Sequence, residues 1–254
     1  MQLIKSNTSI DFLSKKRRNV ALAISAILIV VSLTSLATRG LEFGIDFTGG
    51  ILLEVGYEQA ADLDAIRNSL AGAGFDDAQV QRFGADTDVM VRLPPQEGVE
   101  PAEIRQILRE TLGIDGEKAD LRRVESVSPQ VGEELTEDGG LAMIFAMLMI
   151  FAYVMFRFQW KFAAGAVAAL VHDVIVTLGF FSLFGFPFDL TVVAAVLAVV
   201  GYSLNDTVVA FDRIRENFFK LRGLSAEESM NISINEMLAR TIITGLTTLL
   251  VLAA

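Results

Sequence analysis

The stretch LTVVAAVLAVVGYSLNDTVVAF, Leu190 to Phe211, is long and apolar enough to cross a lipid bilayer as a single helix. Asn205 and Asp206 interrupt this otherwise hydrophobic run. An ionised carboxylate at the centre of a bilayer costs at least about 2.5–3.5 kcal/mol, so acids inside membrane helices usually face a bundle interior and serve a function. The stretch therefore predicts an α-helical membrane protein with a polar site that includes Asp206.

The composition of the whole chain agrees with a membrane location. Of its 254 residues, 52% are hydrophobic, and the mean hydropathy is +0.49. The net charge of −10 is concentrated in residues 38–138, which hold 9 Lys/Arg and 22 Asp/Glu, so the rest of the chain is slightly basic. Without cysteine, and with His172 as its one histidine, the chain cannot form disulfides, thiolate metal sites or a multi-histidine metal cluster. No basic face is available for nucleic acid, and no cofactor is expected.

Five apolar runs organise the chain, at residues 20–37, 141–156, 162–184, 190–211 and 241–254. The first run follows the basic cluster KKRR and is predicted to be an uncleaved transmembrane helix, with residues 1–19 in the cytoplasm. A cleaved signal peptide is the alternative, but the run exceeds the roughly 7–15 residues of a signal core. The later links at 157–161 and 212–222 are basic, whereas the link at 185–189 is not. If successive helices cross the membrane in alternating directions from a cytoplasmic N-terminus, every basic link lies on the cytoplasmic side.

Residues 139–254 are therefore predicted to form transmembrane helices two to five, with an amphipathic cytoplasmic segment at about 212–237. The last run, Thr241 to Ala254, corresponds to about 21 Å of helix at about 1.5 Å per residue. A bilayer core is about 30 Å thick, so we expect the rest of the fifth helix to lie beyond this chain.

The acidic block at residues 38–138 is predicted to lie outside the membrane as one small domain. Its strand and helix signals follow the order βαββαβ, the ferredoxin-like arrangement of an α+β domain. Leu63, Ile66 and Leu70 recur at helical spacing, and Pro101 opens a second amphipathic helix. At the entry to the domain, GIDFTGG contains Asp46, Gly49 and Gly50 and is interpreted as a tight structural turn, since no Lys-Ser/Thr follows as in a phosphate-binding loop.

Polar residues inside the apolar runs are the candidate site. Asp206 and Arg240 are predicted to reach similar depths from the cytoplasmic side, where pairing would lower the cost of both charges. Asp206 is too short to extend to the interface, so reversible protonation is the chemistry that suits it, with the proton as coupling ion. Arg240 has the alternative of extending to the interface. Asn205 is interpreted mainly as helix packing, and His172 with Asp173 either as a proton relay or as a hydrogen-bonded pair.

Four motifs resemble the SecD/SecF family of bacterial protein-export membrane proteins, in particular its SecF-type members. They are GIDFTGG (44–50), HDVIVTLG (172–179), GYSLNDTVVAFDRIRENF (201–218) and RTIITGLTTL (240–249). The resemblance implies a multi-pass protein of the bacterial inner membrane with a periplasmic domain after its first helix, and with a sixth helix that is missing here. It also implies pairing with SecD in an arrangement similar to resistance–nodulation–division exporters.

The same resemblance implies a function in protein export. The complex works with the SecYEG channel and the SecA motor, and with YajC and YidC, and uses the proton motive force to promote preprotein translocation. The family's proton-conducting carboxylate and arginine fall on Asp206 and Arg240. The alternative is half of a proton-coupled small-molecule exporter, although such exporters carry much larger external domains. An enzyme is not expected, because no serine–lysine dyad, intramembrane aspartyl-protease motif or metal cluster is present.

Overall fold

The structure is a computed structural model that describes residues 10–96, 101–114, 119–158 and 160–253. The chain divides into two compact units. The sheet unit comprises Glu42–Ile144 and Pro187–Val193, and the helical unit comprises the chain up to Leu41, Phe145–Phe186 and Ala194–Ala254.

The helices within the described ranges are α1 (Lys15–Thr38), α2 (Ile45–Thr48), α3 (Leu63–Gly72), α4 (Pro101–Thr111), α5 (Pro129–Arg157), α6 (Trp160–Phe184), α7 (Leu190–Lys220) and α8 (Ala226–Ala253). The strands are β1 (Glu42–Phe43), β2 (Gly50–Tyr57), β3 (Gln79–Phe83), β4 (Ala85–Leu93), β5 (Ala119–Val127) and β6 (Pro187–Phe188).

The sheet unit is built on four strands in the spatial order β3-β4-β2-β5, with every neighbouring pair antiparallel. The chain enters these elements as β2-α3-β3-β4-α4-β5. On one face of the sheet Leu53 lies opposite Val91, and this face packs against α3 and α4 through residues such as Leu70 and Leu108. All four of these side chains are fully buried, so the alternation of the strands and the apolar stripes of the two helices form one core.

The opposite face of the sheet carries a smaller cluster. Leu52 and Met90 are buried there together with Ile45 of α2. The short strands β1 and β6 form a separate parallel pair, in which Phe43 lies opposite Phe188. Phe47 packs against both of these rings, with centroids 5.8 and 6.0 Å away.

In the helical unit, α1 and α6 approach closely through small residues. A Cβ atom added to Gly179 would lie 2.2 Å from the side chain of Ser32, so glycine is required for this contact. The hydroxyls of Ser35 and Ser182 hydrogen-bond at 2.9 Å and are both buried. Near the start of α6, Phe162 packs on Phe211 of α7 with ring centroids 4.9 Å apart.

Four helices, α1, α5, α6 and α7, are long and apolar enough to cross a membrane by length and composition. They contain the first four predicted runs. Residues 241–253 of the fifth predicted run lie within α8, which is not among those four helices of the described chain. Together with the structural comparison given below, these helices identify a polytopic membrane protein.

The helix boundaries differ from the sequence prediction in three places. α5 begins at Pro129 rather than near Leu141, so it crosses the predicted domain limit at residue 138. α1 begins at Lys15, because the basic cluster is itself helical. The predicted amphipathic segment at 212–237 is not one element, since α7 continues to Lys220 and α8 starts at Ala226. Ion pairs from Glu216 to Arg213 and Lys220, three and four residues away, stabilise the extension of α7.

Candidate functional site

Asp206 lies on α7 and lines a cavity of about 300 Å³ between α7 and α8. The side chain is half-buried. The other lining residues are Thr207, Ala210, Ile214, Ile234, Met237, Leu238 and Thr241. Asp206 is the only ionisable group among these lining residues, so a charge on its carboxylate is poorly compensated by the walls of the cavity.

Arg240 does not pair with Asp206. No salt bridge joins the two side chains in the described part of the chain, so the expected ion pair is absent from this structure. The reason lies in the geometry of α8: Met237, Leu238 and Thr241 share the face that lines the Asp206 cavity, whereas Arg240 lies on the face of Glu236, four residues earlier.

Arg240 instead lines a second, charged groove of about 500 Å³. Two ion pairs cross this groove: Arg213 Nε contacts Glu236 Oε2 at 2.6 Å, and a terminal nitrogen of Arg157 contacts Asp212 Oδ1 at 3.0 Å. Met237 lines both the groove and the Asp206 cavity. The thioether side chain of Met237 therefore lies between the intramembrane carboxylate and the nearest charged surface.

A second polar cluster joins α6 to α7. Asp173 Oδ1 lies 3.0 Å from His172 Nδ1, and Asp173 Oδ2 accepts a hydrogen bond from Ser203 Oγ at 2.6 Å. His172 Nε2 is buried and has no hydrogen-bond partner in the described part of the chain. The structure thus brings His172 and Asp173 together, as the sequence predicted, and adds Ser203, which the sequence analysis did not single out.

The remaining polar residues of this region have mainly local partners. Asn205 is exposed, and its side chain forms no hydrogen bond with any described residue. The hydroxyls of Thr244 and Thr247 donate to carbonyl oxygens of α8 itself, at 2.8 Å in both cases. Thr248 also contacts the Tyr202 hydroxyl, which links α8 to α7 one turn before Asp206.

The turn with Asp46, Gly49 and Gly50 lies in the sheet unit and caps a membrane helix. Asp46 Oδ2 accepts a hydrogen bond from the backbone N–H of Leu190, the first residue of α7, at 3.0 Å. Gly49 has φ of 71° and Gly50 has φ of 121°, a region that favours glycine. A Cβ atom on Gly50 would lie 2.2 Å from the carbonyl oxygen of Leu93, so the backbone of the turn approaches β4 too closely for a side chain.

Arg92 supports the same turn from β4. Its side chain is buried, and one terminal nitrogen donates to the carbonyl oxygen of Phe43 at 3.1 Å. Burial lowers the pKa of the Arg92 guanidinium, while the nearby carboxylates of Glu42, Asp189 and Asp46 act in the opposite direction. Arg92 thus places a buried positive charge among the acidic groups around the start of α7. Sequence reasoning missed it, because Arg92 alternates with Val91 and Leu93 and so lies on the face of the sheet away from α3 and α4.

The described residues contain no cluster of three or more His, Cys, Asp or Glu side chains that could hold a metal ion. Among the residues that the sequence predicted for the site, the titratable or charged groups in the helical unit are the carboxylates of Asp206 and Asp173, the imidazole of His172 and the guanidinium of Arg240.

Four apolar helices define a polytopic membrane protein, and one of them, α7, carries a carboxylate that lines a largely apolar cavity. The family model described as "Protein export membrane protein SecD/SecF, C-terminal" matches residues 107–254, and the "SecD/SecF GG Motif" matches residues 34–61. The chain belongs to the SecD/SecF family of protein-export membrane proteins, among its SecF members.

Relatives with known names agree with this assignment. The chain is 54% identical to the protein translocase subunit SecF of Pseudomonas aeruginosa over 93% of its own length and 77% of that relative. It is 48% identical to SecF of Vibrio alginolyticus over 100% of its own length and 80% of that relative.

A solved structure gives the same result. The crystal structure of SecDF, a translocon-associated membrane protein from Thermus thermophilus, matches with a TM-score of 0.86 and 34% identity. The match covers 96% of this chain and 33% of the SecDF chain, so this chain spans about a third of that protein.

Proposed function

We propose that this chain is a SecF-type subunit that, with a SecD-type partner, uses the proton motive force to promote preprotein translocation across the bacterial cytoplasmic membrane. Family membership and the similarity to SecDF support the role in export. The observation that carries the proton coupling is the position of Asp206, a half-buried carboxylate in a cavity whose other lining residues are uncharged.

Protonation of Asp206 would change what the cavity can accommodate. The neutral acid is compatible with the apolar side chains of Ile234, Met237 and Leu238, whereas the ionised form needs water or a cation. Arg240 is the cation on the adjoining groove, and Met237 lies between the two sites. We propose that loss of the proton favours a second conformation in which α8 turns Arg240 toward Asp206, and that binding of a proton restores the arrangement described above.

The sheet unit is proposed to be a ferredoxin-like domain on the periplasmic side. Its strand order β3-β4-β2-β5, with α3 and α4 on one face, supports that fold. The basic residues at the start of α1, at the end of α5 and at the start of α6 support an N-terminus in the cytoplasm, which places residues 38–138 outside.

The partners proposed are SecD, the SecYEG channel, SecA and the preprotein, with YajC and YidC as further members of the assembly. The similarity to part of a longer SecDF chain supports SecD pairing most directly, since this chain corresponds to a third of that protein. A self-sufficient exporter of small molecules remains the contrasting function. It would act without SecD and the channel, so co-purification and reconstitution of the purified chain alone distinguish the two.

The test of the proton role is Asp206→Asn in proteoliposomes with SecYEG, SecA and the SecD-type partner. Asparagine keeps the shape of the side chain but cannot titrate, so the stimulation of translocation by an imposed proton gradient should be lost. ATP-driven translocation by SecA should persist. Asp206→Glu should keep part of the stimulation, because glutamate can still be protonated, and Arg240→Lys should be partly active because lysine lacks the planar guanidinium.

Asp212→Asn is the matched control. It makes the same chemical change on α7, but Asp212 is exposed and pairs with Arg157. Normal gradient dependence in Asp206→Asn would remove the proposed role of this carboxylate, and equal losses in both variants would point to a general effect of lowering the charge of α7.

A further inference from the structure

The carboxylate of Asp173 connects two helices through its two oxygens. Oδ1 contacts His172 on α6 at 3.0 Å, and Oδ2 accepts from Ser203 of α7 at 2.6 Å. Hydrogen bonds from a hydroxyl to an ionised carboxylate fall at about 2.5–2.7 Å, so the Ser203 contact has the length of a charge-assisted bond. In the described part of the chain it is the only side-chain hydrogen bond between α6 and α7.

His172 orients the carboxylate for this contact. Nδ1 of His172 lies at hydrogen-bond distance from Oδ1, and Oδ2 is the oxygen that accepts from α7. The other ring nitrogen, Nε2, is buried without a partner among the described residues, so this edge of the imidazole adds no competing contact. The three side chains form one chain of hydrogen bonds that ends on α7.

Ser203 lies three residues before Asp206 on the same helix. Residues at this spacing lie on neighbouring positions of one helix face, so a rotation of α7 that moves Ser203 also moves Asp206. Closer to the start of α6, the contact between Phe162 and Phe211 of α7 is apolar. Apolar contacts tolerate sliding and rotation better than a short directional hydrogen bond does.

We propose that Asp173, through Ser203, is a positioning residue that fixes the rotation of α7 and so holds Asp206 at its cavity. The expected effect on export rests on the proposed function. The fixed rotation of α7 does not, and it can be measured separately. His172 is part of the same hydrogen-bonded group, because its contact with Oδ1 holds the Asp173 carboxylate in the orientation that bridges to Ser203.

The first experiment measures the rotation of α7 in the assembled complex. The chain has no cysteine, so Ala210→Cys, which lies in the Asp206 cavity, gives a single label site. Its alkylation rate by a water-soluble maleimide should change about three- to twentyfold when Ser203→Ala is added, since intramembrane hydrogen bonds average about 0.6 kcal/mol and reach about 1.7 kcal/mol. Ser203→Thr, which keeps the hydroxyl, should restore the parent rate.

Ser182→Ala is the matched control for this experiment. It also removes an interhelical serine hydrogen bond of α6, but the lost partner is Ser35 of α1 rather than α7. Its labelling rate should equal that of the parent. An unchanged rate in Ser203→Ala, or an equal change in Ser182→Ala, overturns the proposal.

The second experiment measures export. Ser203→Ala and Asp173→Ala should each lower the gradient-stimulated component, and the double variant should be no worse than the more affected single variant, because both changes remove one bridge. Fully additive losses would show that the two residues act separately and would refute the bridge. If Asp206→Asn proves to export normally, the proposed function fails, yet the alkylation result still decides whether Asp173 positions α7.

Discussion

Replacing Gly50 with alanine should destabilise the sheet unit much more than the same replacement at Gly74. Both glycines have positive φ, 121° at Gly50 and 94° at Gly74, so both substitutions introduce backbone strain. They differ in their surroundings. A Cβ atom on Gly50 would lie 2.2 Å from the carbonyl oxygen of Leu93, whereas a Cβ atom on Gly74 would meet nothing within 4 Å.

The magnitude follows from these two contributions. A residue held in a sparsely populated backbone region costs about 1–3 kcal/mol, and this applies to both variants. Overpacking adds about 1–3 kcal/mol at Gly50 only, because the atom it meets belongs to the backbone of β4 and cannot rotate away. Gly50→Ala should therefore be less stable than Gly74→Ala by about 1–3 kcal/mol, or about 5- to 150-fold in the population of the open state.

Hydrogen–deuterium exchange of the full-length protein in nanodiscs measures this difference locally. Amides of β2, Gly50–Tyr57, pair with β4 and β5 and should exchange faster in Gly50→Ala by the factor given above. Amides of α1 should exchange as in the parent protein, which excludes general unfolding. Equal protection of β2 in the two alanine variants would refute the reasoning, because it would show that the contact with Leu93 carries no cost.

Two further predictions concern the part of α8 from Ala226 to Asn235. Asn235 holds the backbone of Ile10 through two hydrogen bonds of 2.8 Å, so Asn235→Ala should speed trypsin cleavage at Lys15 and Lys16, whereas the exposed Asn205→Ala should not. At the start of α8, hydrogen bonds from the Ser225 hydroxyl and backbone N–H lower the pKa of Glu228 below its ordinary value. The stabilisation by this cap is therefore present above the ordinary pKa of glutamate and is lost as the pH falls through the lowered value. Amide exchange in the first turn of α8, corrected for the intrinsic pH dependence of exchange, should show this loss of protection. The loss should be absent in Glu228→Gln. Protection that does not change with pH in the parent protein would contradict the role of Glu228 in the cap.

Much of the sheet unit could be predicted because its signals are local. Leu63, Ile66 and Leu70 lie in α3 and Pro101 begins α4, as predicted, since helical spacing is read over a few residues. The start of α5 could not be predicted in this way. Gly139 and Gly140 resemble a break in the chain, yet the helix runs through them from Pro129.

In the candidate site, too, features of one helix could be predicted from the sequence, whereas contacts between two helices could not. Asp206 could be found from the sequence because a carboxylate in an apolar run is unusual whatever lies around it. The bond between Ser203 and Asp173 depends on how α6 and α7 are set against each other, and no pattern within either helix specifies that. The predicted pair of Asp206 and Arg240 is not formed among the described residues of this structure, because the prediction considered depth along the helix without the face of α8 on which Arg240 lies.

The turn that holds Asp46, Gly49 and Gly50 contacts the first residue of α7. Asp46 accepts the first amide of α7, and Asp189 accepts the amide of Val192, so two carboxylates satisfy N–H groups that the helix itself leaves unpaired. Carboxylates also complement the positive end of the helix dipole, and caps of this kind contribute about 0.5–2 kcal/mol. Gly50 allows the turn to lie against β4, and Arg92 balances the acidic groups around it. Within the sheet unit, the turn thus holds the carboxylate of Asp46 against the first amide of α7.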